Sequence, residues 1–298
     1  MQLEDTLVSW STGPGQTEQT KADNAVMAIQ KAIKAHTKLT SMDIGIFPQG
    51  SYRARTNVRQ NSDVDVCVCL NSTFFPDYPG GKTHEHYGNV DGEMMFSDFK
   101  DLVGEALTDY FGATAVTRGN KAFDIHENSY RIDADVVPAF QHRRYHTDGT
   151  NGWIKPEGTA FDTDNDDTRI INWPEQTYTN GITKNNATSR RYKRVIRILK
   201  RLRDKMQTEN IAAAKDIASF LIESLVWNAP NDHLNHTYYH QDVRDVLAYL
   251  FNNTRNVEDC KEWGEVNELK YLFSTAQPWT MTQAHNFISA AWDYLGFE

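Results

Sequence analysis

The sequence predicts an α+β protein: a mixed sheet braced by helices, followed by an all-helical second half. Three observations carry that prediction. Short β-branched runs at 44–47, 63–70 and 132–140 alternate with longer amphipathic stretches. Beyond residue 188 the apolar residues recur at helical spacing. Gly, Pro, Asn and Asp cluster between the periodic segments, as turns require. The 298 residues suffice for two ordinary domains. They are expected at 1–180, a sheet-bearing core with an N-terminal bracing helix, and at 181–298, a helical domain.

Taken in order, residues 2–40 read as helix. Lys21 to Leu39 carries an apolar stripe of Ala25, Met27, Ala28, Ile29, Ala32, Ile33 and Ala35. Residues 41–70 read as strand, turn, short helix and strand. Residues 71–95 hold Pro76, Pro79, Gly80, Gly81 and Gly92 and read as a long loop. His84 and His86 in it have no matching Cys or Asp and read as surface histidines. Phe96–Phe111 is an amphipathic helix. Short strands at 113–116 and 121–125 flank the turn Arg118-Gly119-Asn120. Residues 141–187 are rich in Asn, Asp, Gly and Thr. Their acidic run (Asp162, Asp164, Asp166, Asp167) reads as a solvated loop, since it lacks the Gly and terminal Glu of a calcium loop. Helices are expected at 188–206, 216–227, 241–252, 262–273 and 282–294.

Composition narrows the function. The hydrophobic share of 39% and charged share of 24% belong to a globular protein. The net charge of −9 argues against gripping a duplex, which needs a basic bias. No apolar run reaches the roughly 18 residues of a membrane span. The first residues lack the basic and apolar regions of a secretory signal. Three cysteines, Cys67, Cys69 and Cys260, are too few for a disulfide framework and show no zinc spacing, so a reduced cytoplasm is expected.

The chemistry concentrates in two stretches. In the first, Gln49, Gly50 and Ser51 form a turn after an apolar strand. Gly lets the backbone approach a phosphate, and a helix start offers N–H groups to it. Arg53, Arg55 and Arg59 could reach the same anion, or stay in solvent. About a dozen residues later comes Asp63-Val64-Asp65-Val66. Side chains two apart share a strand face, so both carboxylates point one way and the valines the other. Paired carboxylates suit a hard cation such as Mg²⁺, which takes phosphate oxygens as further ligands. Asp133-Ala134-Asp135-Val136-Val137-Pro138 repeats the pattern on a later strand. The second stretch, residues 190–205, carries a net +8 in an acidic chain. Such a helix is either a solvated face or a cradle for a triphosphate.

The Gly-Ser turn, Asp-x-Asp pair and later Asp strand resemble the nucleotidyltransferases related to DNA polymerase β. The form Asp-Val-Val-Pro-Ala-Phe looks like the third-acid strand of 2′-5′ oligoadenylate synthetases and of the cGAS/DncV-like nucleotidyltransferases (CD-NTases). Extended to Tyr-Lys-Arg-Val-Ile-Arg-Ile-Leu-Lys and Ser-Phe-Leu-Ile-Glu-Ser-Leu-Val-Trp, the resemblance covers most of the chain and is nearest to clade E. Those enzymes make cyclic dinucleotides as alarm signals in anti-phage defence (CBASS). The resemblance implies a polymerase-β-like core with a helical domain completing the nucleotide cleft. It implies Asp63, Asp65 and Asp135 as catalytic ligands of two Mg²⁺ ions, replaceable by Mn²⁺, with Asp133 a neighbour. It implies that Gln49, Gly50, Ser51, Lys200, Lys193 and Ser219 contact nucleotide or phosphates, Lys200 before Lys193. Asn186 stands where clade E carries a pyrimidine-favouring asparagine, with Asn185 as the alternative register.

The implied reaction joins two nucleoside triphosphates, UTP, ATP or both, into a ring such as cyclic UMP-AMP or cyclic di-UMP, with release of pyrophosphate. The chain is expected to act as a monomer without duplex nucleic acid or membrane, with a defence-operon regulator as a further partner. Two rival readings use the same residues: a nucleotidyltransferase building linear oligomers or extending RNA, and a non-catalytic nucleotide sensor.

Overall fold

The computed structural model describes residues 2–58, 63–147 and 152–298. The expected phosphate contact Arg59 lies outside the described residues. The chain forms two compact units. One comprises Met1–Pro14, Ala54–Asn61 and Gln176–Glu298, the other Gly15–Arg53 and Ser62–Glu175. The N-terminal region therefore divides. Helix α1 (Gln2–Ser11) belongs to the helical unit, where Leu7 is fully buried in the core and Glu4 accepts from the backbone N–H groups of Tyr239 and His240. Helix α2 (Gln16–Ala35) belongs to the sheet unit, where Ala25, Ile29 and Ile33 are buried.

The sheet unit continues with β1 (Ile44–Pro48), α3 (Gly50–Ala54), β2 (Val64–Asp77), α4 (Phe96–Phe111), β3 (Val116–Arg118), β4 (Phe123–Ile125), β5 (Ala134–Tyr145), β6 (Trp153–Asp162) and β7 (Arg169–Asn172). The seven strands run β1-β2-β5-β4-β3, with β6 on β5 and β7 on β6. Only β2 and β5 pair parallel. Val64, Val66 and Val68 are at most 1% exposed and share one apolar core with α2 and α4. The odd-numbered residues of β2 face the other way, Asp65 with Cys67 and Cys69 beyond it.

Several stretches differ from expectation; residues 113–115, expected as strand, form a 3-10 turn. The loop at 71–95 is shorter, because β2 runs on to Asp77. Past the bulge at 70–74 it still pairs with β5 (Phe74 to Gln141, Asp77 to Arg144), while β1 has ended, so Pro76, which has no N–H to donate, lies where β1 no longer calls for one. Residues 141–187, for which the sequence predicts no element, hold the end of β5, then β6, β7 and a helix. The acidic run is the β6–β7 turn, and it is tied down. Asp164 accepts from the buried Lys100 at 2.8 Å and from Arg118, Asp162 pairs with Arg169, and Asp166 accepts from Thr163.

The helical unit holds α5 (Pro174–Ala187), α6 (Arg191–Thr208), α7 (Ser219–Asn228), α8 (Tyr239–Asn253), the four-residue α9 (Val257–Cys260) and α10 (Met281–Tyr294). Residues 262–273 are irregular rather than helical. Gly264 bridges Tyr271, Glu265 N–H donates to Lys270, and Glu268 takes a positive φ of 58°, none of which a helix permits. The core gathers Val195, Leu199 and Leu202 of α6, Leu221 and Leu225 of α7, Val246 of α8 and Phe287 of α10.

Candidate active site

Strand pairing sets the acids. Asp65 of β2 is in register with Asp135 of β5, and Asp135 with Asp124 of β4. In-register residues share a sheet face, so three carboxylates stand in one row across three strands. Asp63, exposed, immediately precedes β2. Asp133 stands apart from the row. Its carboxylate accepts from the Glu127 N–H at 2.5 Å, and its carbonyl from the Val64 N–H at 3.1 Å.

The turn before α3 closes on this row. The Gln49 N–H donates to the Asp65 carbonyl at 2.8 Å. Gly50 has φ +59°, and a Cβ there would overlap the Asp65 carboxylate, whose Cγ would lie at 2.9 Å. Any other residue would displace Asp65 or strain the turn. With five residues, α3 contributes N–H groups and the half-buried Ser51 hydroxyl more than a macrodipole.

The electrostatics follow from crowding. Burial pushes the Asp135 carboxyl up to about 6, and the charges of Asp63 and Asp124 add to it. Burial also raises Asp63, with repulsion from Asp133, Asp124 and Glu127 behind it. No group of three or more His, Cys, Asp or Glu side chains among the described residues is placed to hold a metal ion as it stands. Repelling carboxylates spread until a counter-ion draws them in. An all-oxygen set that resists ionisation fits a hard divalent cation, which would favour the ionised form. Asp124 escaped the sequence reading. In Phe123-Asp124-Ile125 it looks like the outward residue of a short strand, and register alone puts it beside Asp135.

The helical unit carries the remaining expected residues. Asn186 is exposed in the last turn of α5, and its side-chain amide makes no hydrogen bond among the described residues, whereas the Asn185 side chain accepts from the Lys193 N–H at 3.2 Å. Ser219 Oγ accepts from Arg203 at 3.1 Å. Lys193 is 8% exposed, beside a small pocket lined by Thr56, Tyr178 and Glu223. Its ammonium makes no hydrogen bond or ion pair among the described residues and lies 5.9 Å from the centroid of the Tyr178 ring. Burial first, then Arg55, lowers its proton affinity.

Lys200 is turned into the core of the helical unit. It is 2% exposed, and its ammonium donates to Glu223 at 2.6 Å and to the Thr56 carbonyl at 3.2 Å. In this conformation its ammonium is engaged by Glu223 and Thr56, whereas that of Lys193 is not paired among the described residues. The other α6 cations are largely committed too. Arg191 pairs with Asp242, Arg194 donates to Tyr239, Arg197 to the Ser11 and Arg55 carbonyls, and Arg203 to the Ile217 carbonyl. Glu223 was also missed, although a lone carboxylate in the apolar run of α7 was a visible signal. No helix among the described residues is long and apolar enough to cross a membrane.

Comparison with known proteins places the chain. The cGAS/DncV-like nucleotidyltransferase C-terminal helical domain matches residues 179–296. The cyclic dipyrimidine nucleotide synthase CdnE of Legionella pneumophila is 42% identical over 98% of this chain and 97% of its own. The structure of the Elizabethkingia meningoseptica CdnE cyclic dinucleotide synthase with GTP and Apcpp is 36% identical, with a TM-score of 0.80 over 99% of both chains. That of the Rhodothermus marinus CdnE c-UMP-AMP synthase with Apcpp and Upnpp is 28% identical, with a TM-score of 0.87 over 98% of this chain and 96% of that one. With this likeness along nearly its whole length, the chain belongs to the cGAS/DncV-like nucleotidyltransferases, as a clade E-like cyclic dinucleotide synthase of the CBASS type.

Proposed function

We propose that this enzyme joins two nucleoside triphosphates into a uridine-containing cyclic dinucleotide for anti-phage signalling, with Asp63, Asp65 and Asp135 as its metal-binding acids. The observation that carries the site is the register of Asp65 with Asp135 beneath a Gly50 that has no room for a side chain.

Two Mg²⁺ ions bound there would lower the pKa of the attacking ribose hydroxyl and neutralise the departing pyrophosphate. The chain's own residues do the rest. The N–H groups at Gly50 and Ser51, with the Ser51 hydroxyl, receive phosphate oxygens. Lys193 supplies a cation that no carboxylate of the described residues has claimed. Ser219 is a weaker phosphate contact, since its hydroxyl already accepts from Arg203. The Asn186 amide both donates and accepts, as a uracil edge requires. The sheet, turn and acids serve either base.

Base choice therefore rests on Asn186 and on the relatives. The Legionella protein is a dipyrimidine synthase, and UMP-AMP is the product of the Rhodothermus one. The Elizabethkingia relative is a dipurine synthase at 37% identity. The test is one incubation with all four NTPs and Mg²⁺ or Mn²⁺, then phosphatase and mass spectrometry. A resistant ring containing uridine is expected, and Asn186→Ala should lower its uridine share severalfold, about 1 kcal/mol of discrimination. An all-purine ring would overturn the base assignment. A ladder of phosphatase-sensitive oligomers would overturn the ring, and ligand binding without pyrophosphate release would support a sensor.

A further inference from the structure

Lys200, Glu223 and Thr56 form a closed, buried set within the helical unit. Lys200 Nζ donates to Glu223 Oε1 at 2.6 Å and to the Thr56 carbonyl at 3.2 Å, and the Thr56 hydroxyl donates to the same Oε1 at 2.7 Å. None of the three is more than 5% exposed. Nearly one turn earlier on α6, Arg197 Nη1 donates to the Arg55 carbonyl at 2.7 Å, while its Nε holds the Ser11 carbonyl at 2.7 Å. Two consecutive carbonyls, 55 and 56, are thus each held by a cation of α6.

What they hold matters. Arg55 has φ +54°, in the left-handed region, so the backbone turns out of α3 at that residue. The held segment follows α3 without a break, and α3 opens with Gly50 and Ser51. A buried ion pair adds little net stability over apolar residues of the same volume. This one has a use that apolar residues could not serve: it fixes a hydroxyl and a carbonyl of the chain that leaves the phosphate-binding turn. Small misplacements at such a turn are costly to a reaction that depends on alignment.

We propose that Lys200 and Glu223 are positioning residues for nucleotidyl transfer. They fix Thr56, and through the continuous chain the exit of α3, without touching the nucleotide. The inference rests on the family's activity and not on which bases are joined.

The two roles open to Lys200 predict opposite results for Glu223→Gln. If Lys200 held phosphates, neutralising its carboxylate partner would release the cation and lower KM. As a positioning pair, the substitution lowers kcat about tenfold or more, changes KM by less than about threefold, and speeds hydrogen exchange of the amides at 55–58. Thr56→Val, which removes the hydroxyl at similar volume, should also lower kcat, and Thr56→Ser should restore it. That pair keeps the test decisive if Glu223→Gln fails to fold. Rates are read as pyrophosphate release well below each variant's Tm, so loss of fold is not counted as loss of alignment. The readout works whichever product forms, which separates this proposal from the base assignment. A lowered KM with undiminished kcat in Glu223→Gln, or wild-type kcat in both Glu223→Gln and Thr56→Val, overturns it.

Discussion

The two units handle charge in opposite ways. In the sheet unit, burial and neighbouring carboxylates raise the proton affinity of Asp63 and Asp135, and Asp135 reaches about 6. In the helical unit, α6 carries a denser set of cations, yet most of them meet a carbonyl, a carboxylate or a hydroxyl within the unit. Count of charge therefore says little. Charge neutralised where it stands is structure, while charge left in mutual repulsion or unanswered is poised for a ligand. By that criterion the acid row is a site, most of α6 is scaffold, and Lys193 resembles the acids, as does Arg201, whose buried Nε has no partner among the described residues.

The sharpest break of the comparison is to neutralise the acids. Asp63→Asn with Asp65→Asn should lower product formation at least about 10³-fold, roughly 4 kcal/mol of barrier. The far-UV circular dichroism should keep the wild-type signal, because removing repulsion does not unpair the sheet. Full activity in the double variant would sink the assignment of the acids.

Much of this contrast was legible in the sequence, and what escaped had a physical reason. Period-two alternation put Asp63 and Asp65 on one face and Val64, Val66 and Val68 in the core, because a strand's two faces follow from chain order alone. Helical spacing found α2, α4, α6, α7, α8 and α10 for the same reason. The β6–β7 hairpin was not found, since its stability comes from pairing with β5 and from the Lys100–Asp164 pair, both distant in sequence. Asp124 needed strand register. Lys200 and Lys193 look alike in a list of basic residues, and only the burial of Glu223 beside one of them tells structure from site.

Lys193 tests the criterion inside α6. Lys193→Gln should raise KM for the triphosphates about tenfold, some 1.4 kcal/mol of binding. Stability should hold or rise slightly, since burial already disfavours the charged lysine. Steady-state kinetics and a thermal melt of one preparation measure both. An unchanged KM would return Lys193 to the scaffold.

The smallest expected effect is the most specific, because it separates function from stability at one residue. The Asp135 carboxyl is raised to about 6 in the folded protein, against an unfolded value near the ordinary 3.8. A carboxyl raised by folding binds protons more tightly in the folded state. Its contribution is therefore fullest below about pH 4 and is lost as pH climbs to about 6. Two pH units would be about 3 kcal/mol at face value, and the group's partial exposure brings this to roughly 1 kcal/mol. Without metal at pH 7, Asp135→Asn should melt a few degrees above wild type while forming no product. At pH 4 the difference should vanish, since wild-type Asp135 is then protonated and as neutral as the amide. Saturating Mn²⁺ should reverse the order at pH 7, because the cation stabilises the folded state whose acids bind it. Melts at two pH values, with and without Mn²⁺, decide the matter. A variant no more stable than wild type at pH 7 without metal would show that neither burial nor neighbouring charge holds the Asp135 carboxyl up, and the contrast between the two units would lose its strongest member.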